Sequence, residues 1–286
     1  MAIAEENGKV ALVTGSSGGI GRPAAIALAE AGFRVIAAMR SPDKRHALME
    51  KADAAGVGGR IEAAFFDVAD EAAVKAAIDD VLTRRGRIDC LVNNAGFAVG
   101  GFAEELSPAE WRSQFDTNVF GLVTVTRAVL PHMRERGSGH IINISSVSGA
   151  AGFPGLAAYC ASKFAVEGFS ESLRLEMLPY GVYVSVVEPG AYKTDIWQKA
   201  LDAVRVEPGS AYAGKAQRYK AKIAAEMENA RDPAEVARLI ARIALTPKPG
   251  FRYASGKGTG AIILLKRWLP WPLWERLAMS GMKRYY

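Results

Sequence analysis

The chain has 286 residues, half of them apolar, and a net charge of +6. That length suits one large soluble α/β domain with a substantial core. The surplus charge collects in residues 259–286, where Lys266, Arg267, Arg276, Lys283 and Arg284 stand against Glu275 alone, so the rest of the chain is near neutral and no nucleic-acid face is expected.

Taken in order, the N-terminus has neither a basic n-region nor an apolar h-region, and no apolar run reaches membrane-spanning length, so a cytoplasmic protein is expected. Val10–Val13 reads as a buried strand breaking at Thr14-Gly15 into a glycine-rich turn, V-A-L-V-T-G-S-S-G-G-I-G, and a helix follows. Strand, glycine turn and helix form a phosphate cradle, in which backbone N–H groups of the helix start point at an anion. Arg34–Met39 is a second strand, Ile61–Phe66 a third ending at Asp67, and Ile88–Val92 a fourth closing on Asn93-Asn94-Ala95-Gly96. Ser107-Pro108-Ala109-Glu110 has the form of a capping box and starts a long helix towards Arg136. His140–Ile144 and Val182–Val187 are further strands flanking a helix over Ala157–Pro179, and Phe251–Ala254 can add a last one. This alternation calls for a single doubly wound domain, a mostly parallel sheet of seven strands with helices on both faces and a ligand beyond the strands' carboxyl ends.

Cys90 and Cys160 form no C-x-x-C pair and read as small buried residues. His46, His132 and His140 lie far apart, so no metal site is expected. Chemistry concentrates instead in Tyr159-Cys160-Ala161-Ser162-Lys163. Helical spacing of four puts the phenol and the ammonium on one face, and a neighbouring ammonium lowers a phenol's pKa. Such a pair suits proton transfer at an alcohol oxygen. Ser146 ends the preceding strand, where its hydroxyl can bond the same oxygen, with Ser145 as its neighbouring competitor. Asn118, a poor interior helix residue, points to a polar task within its helix.

These motifs together resemble the classical short-chain dehydrogenase/reductase family, over Lys9 to about Gly256, with the hydroxysteroid and retinol dehydrogenases as the nearest branch by analogy. The resemblance implies Tyr159 as general acid/base, Lys163 lowering its pKa and binding the nicotinamide ribose, Ser146 polarising the substrate oxygen and Asn118 holding a water of a proton relay. It implies cofactor contacts at Gly15, Ser16, Ser17, Gly19, Ile20 and Gly21 in the glycine turn, and at Asp67 and Val68 for the adenine. Asn93, Ala95 and Gly96 would line the cofactor, Asn94 would stabilise the central strands, Pro189 and Gly190 follow the sixth strand, and Thr194 would meet the carboxamide. The three-residue interval between Tyr159 and Lys163 favours carbonyl–alcohol chemistry over the double-bond reduction of related enoyl reductases.

The second strand ends A-A-M-R, with Arg40 where NAD enzymes commonly place a carboxylate, so NADP(H) is expected ahead of NAD(H). The catalytic unit is expected over residues 1–258, with residues 191–230, carrying Trp197, Tyr212 and Tyr219, as a lid. Residues 259–286 form an apolar and basic extension broken by Pro270 and Pro272, with a second helical piece from about Leu273. It can pack on its own core, border an apolar substrate entrance, meet a second subunit of a homodimer or homotetramer, or lie on an anionic membrane surface. The expected activity is interconversion of a hydrophobic ketone or aldehyde with its alcohol; alternatives are a 3-oxoacyl thioester reductase and a non-catalytic cofactor sensor.

Overall fold

The computed structural model describes residues 8–203 and 209–282. Seven strands, β1 (Val10–Thr14), β2 (Arg34–Met39), β3 (Ile61–Phe65), β4 (Cys90–Asn93), β5 (Gly139–Ile144), β6 (Val182–Pro189) and β7 (Arg252–Ser255), form one sheet in the order β3-β2-β1-β4-β5-β6-β7. Every pairing is parallel, with Val13 opposite Ala37 on one side and Val92 on the other. Parallel strands need helical crossovers, and those cover both faces. The period of two is visible in β1: Ala11 and Val13 enter the core beneath α1 (Gly21–Glu30), α2 (Arg45–Ala54) and α9 (Ala234–Leu245). Val10 and Leu12 enter the opposite core, beneath α3 (Glu71–Arg85), α5 (Leu122–Glu135) and α6 (Ala157–Met177). Alanines along α1 let it lie directly against α9.

Three details depart from the periodic reading. The long helix after the Ser107–Glu110 capping box begins as α4 (Pro108–Phe115) but widens into a π-helical stretch at Asp116–Gly121 before α5 resumes. Such an insertion lets one residue leave the regular ladder, and here it falls on Asn118. α6 ends at Met177, followed by a short 3₁₀ turn with Pro179 and then Gly181 in a left-handed conformation, φ +68°. Past β7, α10 (Thr259–Trp268) and α11 (Trp271–Met282) form the extension, α11 starting two residues earlier than expected because Pro272 fits the first turn of a helix. The region between β6 and α9 holds α7 (Asp195–Ala203) and α8 (Ala213–Glu228). The order in which strands are added reverses between β1 and β4, so the loops after these two parallel strands part and leave a crevice at their carboxyl ends.

Candidate active site

That crevice is a cavity of about 650 Å³. Gly15, Ser17, Gly19 and Ile20 line it from the turn after β1, Arg40 after β2, Asp67 and Val68 after β3, and Ala95 and Gly96 after β4. Ser146, Tyr159 and Lys163 line it beyond β5, and Pro189, Gly190 and Thr194 beyond β6. Fifteen sequence-predicted positions, spread over 180 residues of chain, thus converge on one crevice.

The glycine turn is shaped for a close-approaching ligand. Gly15 has φ +69°, and a Cβ there would lie 2.8 Å from Ala95 Cα; one on Gly21 would lie 2.2 Å from the Gly15 carbonyl oxygen. These two glycines are demanded by backbone packing, whereas Gly18 and Gly19 leave at least 3.8 Å beside them. Ser16 and Gly21 accordingly sit behind the cavity wall rather than on it. Ser16 is buried, its hydroxyl donating to the Val13 carbonyl at 2.7 Å and its N–H to Ala38 at 3.0 Å. Thr14 Oγ1 accepts from the N–H groups of Asn94 and Ala95, both at 3.0 Å, and the Asn94 amide donates to the carbonyls of Thr14 and Gly15. This lacing ties the two crevice loops together. Asn93 turns the other way, donating to Thr126 Oγ1 at 2.8 Å and Asn143 Oδ1 at 2.9 Å within the core.

Asn118 also lies outside the lining residues. Its amide oxygen accepts from Phe97 N at 3.0 Å, and its amide nitrogen donates to Phe97 O at 2.9 Å and Ser162 Oγ at 3.2 Å. The side chain is thereby occupied in fastening the loop after β4 to α6.

Tyr159 and Lys163 stand on adjacent turns of α6, the ammonium 5.7 Å from the phenol ring centre. Lys163 Nζ donates to the Ile144 carbonyl at 2.8 Å. The simple expectation of a lowered phenol pKa does not describe this arrangement. Burial pushes Tyr159 up to about 12, with the Ser146 hydroxyl pulling it down. Burial also pushes Lys163 down to about 8, against the charge of Glu167. Desolvation disfavours both charged forms and is the largest influence on each. Ser146, extended at the end of β5, accepts from Ser148 N at 3.1 Å and keeps its hydroxyl at the cavity.

Several lining residues carry no sequence motif. Ser41 and Lys44 reach the cavity beside Arg40 because the Pro42–Lys44 turn folds the chain back at once; the Ser-Pro step after Arg40 was the available signal. Arg22 donates to the Ser17 carbonyl from the first turn of α1. Trp197 of α7 meets Tyr159 edge-on, ring centres 5.8 Å apart and planes 72° apart. Around them Ala98, Leu156, Cys160 and Ala200 form a small buried cluster with Phe153 and Ile196 packed on it. Tyr212, at the start of α8, stacks on Phe102 at 4.2 Å, so the segment after β6 is fastened to the opposite rim.

One end of the crevice is therefore cationic and glycine-lined, fit for a dinucleotide's phosphates, and the other is apolar around a phenol, an ammonium and a serine hydroxyl. The sequence is 43% identical over 274 residues to YusZ, an uncharacterised oxidoreductase of Bacillus subtilis, covering 95% of this chain and 97% of that one. It is 34% identical over 263 residues to a 3-ketodihydrosphingosine reductase of Bacteroides thetaiotaomicron, covering 92% and 93%. Among solved structures, a metagenomic short-chain oxidoreductase in complex with NADP superposes with a TM-score of 0.68 at 31% identity, covering 86% of this chain and 95% of that one. A short-chain dehydrogenase/reductase of Burkholderia phymatum in complex with NAD superposes at 0.79 and 26%, covering 91% and 92%. A model of the short chain dehydrogenase family matches residues 9–205. The chain belongs to the short-chain dehydrogenase/reductase family and is a nicotinamide-dependent oxidoreductase acting between CH–OH and C=O groups.

Proposed function

We propose that the protein is an NADP(H)-dependent reductase/dehydrogenase of hydrophobic carbonyl and alcohol substrates, steroid-, retinoid- or lipid-like in size. The observation that carries the substrate class is the wall around Tyr159: Trp197 edge-on to the phenol, with Leu156, Cys160, Ala200, Phe153 and Ile196 beside it. Such a surface favours an apolar body with its single polar group at the phenol. A bound nicotinamide supplies or takes the hydride at the carbonyl carbon. In reduction Tyr159 donates its proton to the forming alkoxide while the Ser146 hydroxyl bonds the same oxygen; in oxidation Tyr159 takes the proton back. Lys163 binds the ribose and stabilises the phenolate that remains after donation. Asn118 holds Phe97 and α6 in register, and a water of the relay would have to use the backbone of its π-helical turn, since its amide is already bonded. Of the lid expected over residues 191–230, residues 204–208 lie outside the described residues; the described part is fastened through Tyr212 and Phe102.

The test is NADPH oxidation across ketones of increasing apolar size. Turnover is expected to rise with size, and Trp197→Ala to raise KM for bulky ketones by about tenfold while small ketones change little, the loss of one aromatic contact being worth about 0.5–1.5 kcal/mol beyond its area. Equal changes on both would remove Trp197 from the substrate wall. Absence of any turnover with intact NADPH binding would favour the cofactor sensor.

The extension gives the same site its setting. No helix among the described residues is long and apolar enough to cross a membrane. Trp268 and Trp271 are 74% and 61% exposed, with Leu264, Leu265, Leu273 and Leu277 also outside, and Lys266 lies 4.2 Å above the Trp271 ring. Tryptophan over leucine, interleaved with Lys266, Arg267 and Arg276, suits an anionic headgroup boundary better than a second copy bearing the same positive charge. Thr259, the first residue of α10, is buried against Gly190, so the extension starts at the cavity rim. Co-sedimentation with phosphatidylglycerol vesicles is expected, lost at high salt, and absent with phosphatidylcholine. The double variant Trp268→Ser, Trp271→Ser is expected to stay in the supernatant while still reducing a small soluble ketone; undiminished sedimentation would overturn the lipid assignment.

A further inference from the structure

Beneath the catalytic helix lies a cluster of charges that the reaction as described does not use. Glu167, one turn along α6 from Lys163, is 5% exposed, and Glu188, near the end of β6 just before Pro189, is 2% exposed. Both meet one cation, Arg252 of the edge strand β7: its Nη1 pairs with Glu167 Oε2 and lies 3.3 Å from Glu188 Oε1. Its Nη2 reaches the exposed Glu171 at 3.0 Å. Glu167 Oε1 and Ser145 Oγ are buried without a hydrogen bond of full geometry. Gly149 makes room for them, since a Cβ there would lie 2.4 Å from Ser145 Oγ and 3.0 Å from Glu167 Cγ.

The charge count of this group decides its meaning. Two buried carboxylates share one guanidinium, which leaves one negative charge uncompensated, and buried charge is costly unless paired. Arg252 itself reaches solvent, and the buried cation alongside, among the described residues, is Lys163; the four groups balance only when it is an ammonium. Glu171 sits at the solvent-screened end and contributes little.

We propose that Glu167 is a positioning residue that keeps Lys163 in its charged form, and that Arg252 and Glu188 hold the Glu167 carboxylate in place for that purpose. The proposal rests on the assignment of Lys163 to cofactor binding. Burial drives the ammonium down and the Glu167 charge opposes it. Burial likewise pushes Glu167 and Glu188 up, and the Glu188 charge adds to the push on Glu167, while Arg252 pulls both down, so Arg252 is the group that sustains the two carboxylates. The other titratable groups packed here, Tyr159 and Cys160 on α6, are pushed up by burial towards their neutral forms, and Ser145 and Ser146 do not titrate. Through Arg252 and Glu167 the edge strand that leads into the extension is linked to the helix of the catalytic lysine.

The sign is fixed. Removing the Glu167 charge lowers the Lys163 pKa further, so the ammonium is lost at lower pH. The measurement is the dissociation constant of NADPH, followed by its fluorescence from about pH 6 to about pH 10. Wild-type affinity is expected to weaken through about pH 8, where Lys163 titrates. Glu167→Gln is expected to move that midpoint down by about one unit or more, weakening binding about fivefold near the wild-type midpoint, approaching about tenfold above it, and hardly at all at the acid end. Glu171→Gln should leave the curve in place. If the Glu167 variant does not fold, Glu188→Gln is read instead and should shift the midpoint in the same direction, because it removes one of the two buried negative charges and leaves Glu167 neutralised by Arg252 alone. A midpoint unmoved in either variant overturns the proposal. A Lys163→Met variant with wild-type affinity and pH dependence would overturn the assignment of Lys163 itself, and the proposal with it.

Discussion

Replacing Tyr159 by Phe is expected to lower kcat by about 10²–10⁴-fold, the usual worth of a positioned proton donor, with NADPH affinity nearly unchanged. The ring stays, so its edge contact with Trp197 and its place in the apolar cluster stay too. Only the hydroxyl that faces the cavity beside Ser146 is lost. The pH profile carries a second expectation. Reduction uses the protonated phenol, and with Tyr159 pushed up to about 12 the donor is present throughout the neutral range. The alkaline fall in the reductive kcat/KM is therefore expected through about pH 8, where Lys163 loses its charge. Near-normal turnover by the Phe variant would remove Tyr159 from the mechanism.

The second large effect concerns the cofactor. Wild-type kcat/KM is expected to favour NADPH over NADH by about ten- to a hundred-fold, the equivalent of one charge-assisted contact worth about 1.5–3 kcal/mol. Arg40→Asp should flatten or reverse the ratio. In the structure Arg40 is 78% exposed and its pairing with Asp67, at 3.5 Å, is of the weak surface kind, so the guanidinium is free to turn onto a 2′-phosphate at slight cost. Lys44, brought to the same end of the cavity by the Pro42 turn, should show a smaller loss in the same direction when replaced by Ala. A wild-type preference for NADH would refute the assignment.

The sequence by itself determined the frame. Short continuous apolar runs such as Val10–Val13 and Arg34–Met39 mark strands buried on both faces, being too short for helices, and both lie where the pattern puts them. Order and spacing of strands and helices, with right-handed crossovers, then leave few ways to wind the sheet. The neighbourhood of Tyr159 and Lys163 was legible for the same reason, being a matter of four positions on one helix. Contacts between distant segments were not legible. Asn93 and Asn94 are adjacent in sequence, yet one bonds Asn143 in the core and the other laces the crevice loops, and only the pairing of β4 with its neighbours decides which. The π-helical widening that turns Asn118 onto Phe97 has no periodic signature, because it is stabilised by what it touches. Trp197 against Tyr159 and Arg252 between Glu167 and Glu188 likewise join segments 38 to 85 residues apart. Burial, which decides the protonation of Tyr159 and Lys163, exists only once those segments have packed, since desolvation depends on every atom that displaces water and not on the neighbour four residues along.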